Sequence, residues 1–252
     1  MAMRLIDLGV AVILGTLLVS GAGMTGAAEP FSDEQTRAVE KLVRDYIINN
    51  PEIVVESLRG YEEKHRQASE KEARQAIATS GDQLEKDPTS PVVGNPQGDV
   101  TLVQFFDYRC GYCKKVVPSI QELLKTDKNI RMVFKEFPIL GPDSVTASRA
   151  ALAAWKIAPD KYLPFHVALM ESRGEMNEAR VLEIGKKVGI DVDKLKAAMS
   201  DPAIKSTIDR NIELARKLQI NGTPAFIIGG QLVPGAVDLA TLREMVATAR
   251  AS

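Results

Sequence analysis

Along the chain the spacing of apolar residues changes period several times. Over residues 31–50, Val39, Leu42, Val43, Tyr46 and Ile47 recur at intervals of three and four, which predicts an amphipathic helix. Ser32 is the expected N-cap, with Gln35 completing a capping box. Asn50-Pro51 ends that helix and opens a second, since proline suits a first helical position. The second helix begins with Ile53, Val54, Val55 and Leu58 and then changes character. From Glu62 to Ala76 there is no large apolar residue, and charges of both signs alternate. The expectation there is a solvated helical face or a frayed linker, and Gly60 weakens a straight rod. Asp87-Pro88-Thr89-Ser90-Pro91 reads as a linker, and residues 94–99 as a turn.

Strand-like patterns follow. Val100–Phe106 is a short, strongly apolar run, and Ile130–Phe137 partly alternates. Residues 144–219 are helical in pattern with several breaks: an Ala-rich stretch at 147–156, a helix capped by Asn177 that stops at Gly189, and a long one opened by Asp201-Pro202 that reaches the region of Gln219. Ala225–Ile228 is a third strand, directly after Thr223-Pro224. Gly229-Gly230 turns into Gln231–Val233, and Asp238 caps a last helix ending near Ala249. Strand, helix, strand, helical block, hairpin, helix is an α/β order. No internal repeat is visible.

The first 28 residues read differently. Arg4, the apolar run Leu8–Val19 and the small residues up to Gly26-Ala27-Ala28 form the three parts of a secretory signal peptide. The apolar run is too short to cross the ~30 Å bilayer core comfortably. Cleavage after Ala28 is expected, with a retained membrane anchor as the alternative. The mature chain then works outside the cytoplasm, in a periplasm-like compartment where disulfides persist.

Residues 29–88 carry an apolar face at Val39, Leu42, Val43, Tyr46, Ile47, Val54 and Leu58. Two short helices cannot bury enough surface to fold alone. That face needs either the rest of the chain or a second copy of itself, and self-association is the expected solution. Residues 89–252 form the remaining domain.

Of 252 residues, 32 are Lys or Arg and 33 are Asp or Glu, a formal net charge of -1. No basic excess points to nucleic acid, and no acidic excess to a solvating tail. Only two cysteines are present, which excludes a disulfide-stapled scaffold and a four-cysteine zinc site within one chain.

Those two, Cys110 and Cys113, form Cys110-Gly111-Tyr112-Cys113 at the junction between the first strand and the following helix. A helix N-terminus offers free N–H groups and the positive end of a dipole, and both favour a thiolate, the attacking species in disulfide exchange. Residues three apart in a first turn share a face, so the sulfurs can meet. Cys110 is expected to be exposed and attacking, Cys113 more buried and resolving. Other readings stand beside this one. Half a zinc site would need His65 and His166, each of which reads as a surface or packing residue. A purely structural bridge would close a very small loop and stabilise little. Two exported thiols also suit Cu(I). Thiol–disulfide exchange is the reading that the junction favours.

Taken together, Val100–Cys113 (VTLVQFFDYRCGYC), Lys135–Gly141 (KEFPILG) and Asn221–Phe226 (NGTPAF) resemble the DsbA-like branch of the thioredoxin superfamily, over roughly residues 89–252. Asn50–Arg66 is similar to the N-terminal domain of the ScsC group, exported DsbA-like proteins linked to copper tolerance. The resemblance implies a thioredoxin fold with a helical insertion at about 142–205, preceded by a small N-terminal α-helical oligomerisation segment. It implies Cys110 as nucleophile, Cys113 as resolving thiol and Thr223-Pro224 as a cis-proline loop, with no cofactor beyond the Cys110–Cys113 pair. It implies a dimer or trimer acting on client proteins. The Gly111-Tyr112 dipeptide and Thr223 before Pro224 are similar to the isomerases DsbC and DsbG, which favours the isomerase or reductase direction and an electron donor of the DsbD or ScsB type. The oxidase direction, with a DsbB-type acceptor, is the alternative, and Cu(I) binding at Cys110 and Cys113 is a reading of another class. The family usually carries a buried acid six residues before the first cysteine. Here Gln104 stands in that place, leaving Glu136 or solvent as substitutes in deprotonating Cys113.

Overall fold

A computed structural model describes residues 31–251. The signal segment and its cleavage site lie outside the described residues. The chain divides into two compact units, one ending at Arg59 and one beginning at Gly60.

The first unit holds helix α1 (Asp33–Asn49) and the opening of α2 (Glu52–Thr79). Ser32 and Gln35 cap α1 reciprocally, as the sequence predicts. None of its residues is buried. Leu42, Tyr46 and Ile48 are 69%, 57% and 67% exposed, and Val54 and Leu58 of α2 are also exposed. The expected apolar face is present and uncovered.

The second unit departs from the sequence reading at its start. Of the two readings of the charged stretch, the solvated helical face holds and the frayed linker does not: residues 62–72 are helical and exposed, and α2 continues to Thr79, burying Ala73 and Ile77. A short helix, α3 (Gly81–Glu85), and an edge strand, β1 (Val92–Gly94), follow, neither of them legible in the sequence. Asp87–Pro91 is irregular yet anchored. Lys135, fully buried, donates to the Gln83 carbonyl at 2.6 Å, to Ser90 Oγ at 2.7 Å and to Asp87 Oδ2 at 3.3 Å. By compactness the second unit begins at Gly60 and takes in these anchored residues.

Next come β2 (Val100–Phe106), α4 (Gly111–Thr126) and β3 (Ile130–Glu136). The helical block consists of α5 (Pro142–Ile157), α6 (Pro159–Glu171), α7 (Glu178–Lys187), α8 (Val192–Met199) and α9 (Pro202–Lys217). The hairpin β4 (Ala225–Ile228) and β5 (Gln231–Pro234) leads to α10 (Leu239–Ala251). The sheet runs β1-β3-β2-β4-β5, with β2 and β3 parallel and every other pair antiparallel. Its two faces are both covered. Leu102, Phe106, Met132, Phe134, Phe226 and Ile228 face α4, α10 and the helical block. Val103, Phe105, Val133, Ala225 and Ile227 face Ile77, Leu84 and the Leu214–Leu218 end of α9. A strand buried on both sides loses its polar alternation, and β2 accordingly reads as a mostly apolar run, with Thr101 and Gln104 its two polar residues. Each such side chain stabilises the fold by roughly 1.5–3 kcal/mol relative to exposure.

Candidate active site

The end of β2 and the start of α4 set the chemistry. Cys110 is the N-cap of α4, with extended backbone angles, and the Cys113 amide donates to its sulfur at 3.4 Å. The Cys110 thiol in turn donates to the Thr223 carbonyl at 3.2 Å, and the Thr223–Pro224 bond is cis. Two segments far apart in sequence thus meet at one sulfur. Both cysteines are free thiols. The expected exposure of Cys110 is corrected by its surroundings: the sulfur tucks under the Thr223 loop, and the residue is only 6% exposed. Cys113 is fully buried. Burial pushes its thiol far above the usual range, against hydrogen bonding from the Asp107 backbone and the Thr223 side chain. Cys113 is therefore held protonated until something at the site changes.

The loop around Pro224 borders a groove of about 230 Å³ running from Gln219 to Ala225. A larger cavity of about 540 Å³ lies away from the cysteines, among Asp82, Lys86, Asp87, Arg210, Glu213 and Lys217. Size alone does not mark the reactive site here. On the other side of Cys110, Gly111 leaves open space and Tyr112 is 62% exposed, with Lys115 Nζ 5.1 Å from its ring centroid. Ile139, Leu140 and Val145 are exposed as well.

Asp107 organises this surface, and sequence reasoning missed it. Its buried carboxylate accepts from the backbone N–H of Arg109 at 2.7 Å, Ile139 at 2.8 Å and Leu140 at 2.9 Å, and from Ser144 Oγ at 2.7 Å. Its own carbonyl accepts from the Cys110 amide at 3.1 Å. One acid therefore ties the cysteine loop to the 137–141 loop and to α5. The available signal was an acid placed directly after a run of buried apolar residues.

Gln104 is buried in mid-β2, opposite Phe134 and Phe226, and its Oε1 has no partner among the described residues. Glu136 is fully buried, but its carboxyl takes hydrogen bonds from Ser148 Oγ at 2.7 Å and Tyr108 Oη at 3.3 Å, and no hydrogen bond joins it to Cys113 among the described residues. Tyr108 Oη also lies 3.0 Å from His166 Nδ1. Burial raises Glu136 well above the carboxylate range and lowers His166 to about 3. Burial thus disfavours the charged form of each, and Glu136, Tyr108 and His166 are joined by hydrogen bonds through the Tyr108 hydroxyl. His166 is a packing residue, against Phe134 at 4.5 Å and Phe106 at 5.0 Å between ring centroids. His65 sits apart on α2, exposed and 4.2 Å from the Tyr61 ring. No group of three metal-ligating side chains occurs among the described residues.

Comparison with known proteins agrees with this geometry. Residues 101–247 match the DSBA-like thioredoxin domain family, and residues 35–68 the copper resistance protein ScsC N-terminal domain. A thioredoxin-like oxidoreductase from Silicibacter pomeroyi DSS-3 is 46% identical, with a TM-score of 0.65, over 68% of this chain and 98% of its own. A linker-deletion mutant of Proteus mirabilis ScsC is 32% identical, with a TM-score of 0.68, over 89% of this chain and 99% of its own. Among curated relatives, Na(+)/H(+) antiporter NhaA 1 of Salinispora arenicola is 28% identical over 65% of this chain, which spans 25% of that relative's length. No helix among the described residues is long and apolar enough to cross a membrane. A cysteine pair capping a helix beside a Thr-cis-Pro loop, on a five-stranded sheet with a helical insertion, places this chain in the DSBA-like thioredoxin family, with an N-terminal segment of the ScsC type.

Proposed function

We propose that this chain is an exported, periplasmic thiol–disulfide oxidoreductase that acts on client proteins in the isomerase or reductase direction. The observation that carries this reading is the Cys110 sulfur, held between the Cys113 amide and the Thr223 carbonyl. In the reduced protein the Cys110 thiolate attacks one sulfur of a client disulfide. A mixed disulfide forms, and the other client sulfur leaves as a thiolate. Two exits follow. A second client thiolate attacks, which rearranges the client with no net electron transfer and restores Cys110. Otherwise Cys113 loses its proton and attacks Cys110, which releases a client reduced by two electrons and leaves Cys110–Cys113 oxidised. No cofactor enters either route.

Thr223 presents its carbonyl at the sulfur, and the groove beside Pro224 suits an extended client segment. Gly111 and Tyr112 leave the approach open on one side. The reductase exit requires an electron source, which a membrane donor of the DsbD or ScsB type would supply. The exposed apolar stripe of α1 and α2 supports assembly into a dimer or trimer, which would present several Cys110 sites to one client. The oxidase direction, with a DsbB-type acceptor, uses the same atoms in reverse. The choice rests on redox potential, where 30 mV is about 1.4 kcal/mol.

Refolding of a scrambled-disulfide substrate by the reduced protein tests the reading. Recovery of substrate activity, lost in Cys110→Ser, is the expected result. Oxidation of client thiols without reshuffling would move the assignment to the oxidase. Tight Cu(I) binding with no exchange on any disulfide would move it to copper handling.

A further inference from the structure

The cysteine helix carries a positive charge, Lys114, that has no ion pair among the described residues. Lys114 follows Cys110 by one turn, and its amide donates to the Cys110 carbonyl at 3.1 Å. Its ammonium is half-buried and donates to the Ser172 carbonyl at 2.5 Å, its one hydrogen bond among the described residues. No carboxylate pairs with it among the described residues. Burial and the like charges of Arg109 and Arg173 all press its proton affinity downward. Arg173 is exposed and carries no ion pair among the described residues. Arg109 reaches only Asp143, at 3.9 Å, the outer limit of an ion pair.

Lys114 and Arg173 border a recess of about 260 Å³ between α4 and the end of α6. Its apolar wall is Val117, Pro118 and Met170, and its polar edge holds Lys114, Arg173 and one carboxylate, Glu171. The volume is below that of an ordinary small-molecule pocket and suits a single side chain. A half-buried cation without an anion is costly, and an incoming carboxylate would relieve that cost.

We propose that this recess receives an acidic side chain of the client, next to the client cysteine that reacts at Cys110. The inference rests on the proposed activity and deepens it: the preferred client segment would be extended, with Asp or Glu flanking its cysteine. Electrostatic complementarity of this kind acts mainly on selectivity and encounter rate.

The test uses the full-length mature protein in its oxidised form and three blocked hexapeptides with a central cysteine flanked by Glu, Gln or Lys. Oxidation of each peptide is followed after acid quench, and each rate is divided by that peptide's rate with neutral 2-hydroxyethyl disulfide, which removes differences in peptide thiol acidity. The Glu peptide should react about tenfold faster than the Lys peptide at low ionic strength. The gap should close to within about threefold at 0.5 M salt, where exposed charges are screened over a few ångströms. Arg173→Glu, at an exposed position, should reverse the preference, and Lys114→Gln should reduce it. Three peptides within twofold of one another, or an unaltered preference in both variants, would overturn the recess assignment while leaving the exchange activity standing. No reaction with any peptide, while the reduced protein still reduces a small disulfide, would overturn this inference alone; loss of both reactions would overturn the activity as well.

Discussion

The Cys110 thiol donates to the Thr223 carbonyl at 3.2 Å, while Cys113, one turn along the same helix, is fully buried. The two sulfurs therefore differ in partner and in access, although three residues separate them. At neutral pH iodoacetamide should label Cys110 first and leave Cys113 unmodified in the native protein, as read by peptide mass mapping. Cys110→Ser should abolish exchange. Cys113→Ser should retain attack but lose the intramolecular exit, so that client mixed disulfides accumulate on non-reducing gels. Equal labelling of both sulfurs, or no trapped client, would contradict the assigned roles.

The buried chain of Glu136, Tyr108 and His166 makes a prediction about pH. His166 has a folded pKa of about 3 against an ordinary 6.5. The unfolded chain therefore takes its proton first, so the stability tied to this residue is full above pH 6.5 and falls as pH drops toward 3. Glu136 has the opposite sense, with its folded value raised well above an ordinary 4.5. Its contribution is full below pH 4.5 and falls as pH rises. Each slope approaches about 1.4 kcal/mol per pH unit where only one group differs. Between pH 4.5 and 6.5 the two oppose each other. Glu136→Gln should thus gain on wild type as pH rises above 6.5, and His166→Gln should gain as pH falls below 4.5, in urea midpoints measured at each pH. Curves parallel to wild type would show that these groups are not buried in their neutral forms.

Asp107 supports both the cysteine loop and the exposed lip of Ile139 and Leu140. Asn at this position keeps the shape but turns one acceptor into a donor that faces other donors. Leaving a buried N–H unpaired costs about 1–3 kcal/mol. Asp107→Asn should lower the unfolding free energy by about that amount. It should also raise KM for a protein client more than it lowers kcat, because the lip that meets the client loosens while the sulfurs keep their helix. An equal loss in both parameters would place Asp107 in the chemistry itself.

Much of the site was readable from local patterns. Cys110-Gly111-Tyr112-Cys113 announces itself, and the β2 strand, the β4 strand and the caps at Ser32, Asn177 and Asp201 fall where side-chain chemistry places them. What escaped were long-range contacts. Nothing local in the partly alternating Ile130–Phe137 run marks Lys135 as fully buried, yet it fixes residues 83–90 through contacts made 45 to 52 positions away. Without those contacts the 87–91 stretch has only a linker's composition. Likewise, the charges of residues 62–76 conceal the buried Ala73, and Ile77 just beyond them seats the helix end in the core shared with Leu84 and Leu214. Asp107 escaped because its partners at residues 139, 140 and 144 lie on a separate loop and helix.

The apolar stripe of the first unit yields the last prediction. Val39, Leu42, Val43, Tyr46 and Ile47 occupy one face of α1, and Val54 and Leu58 continue the pattern on α2, all of them exposed in the single chain. Contiguous apolar surface of this kind, on helices that cannot fold by themselves, marks an interface. In the assembly proposed above, self-association would cover it without a further partner, and closed symmetry would limit the number of copies. Removing residues 29–88 is a poor test, because residues 73–84 contribute Ala73, Ile77 and Leu84 to the buried core of the second unit. Point substitutions are cleaner. Leu42→Lys and Leu58→Lys each place a charge on the stripe, and neither touches the buried core. Each should convert a dimer or trimer to a monomer in light scattering while melting of the second unit stays near wild type. Client reshuffling, which several Cys110 sites held on one substrate would speed, should fall several-fold, whereas reduction of a small disulfide, which needs a single Cys110, should persist. A wild-type protein of monomeric mass would refute the assembly outright, and variants that lose both activities together would show that the stripe serves folding instead.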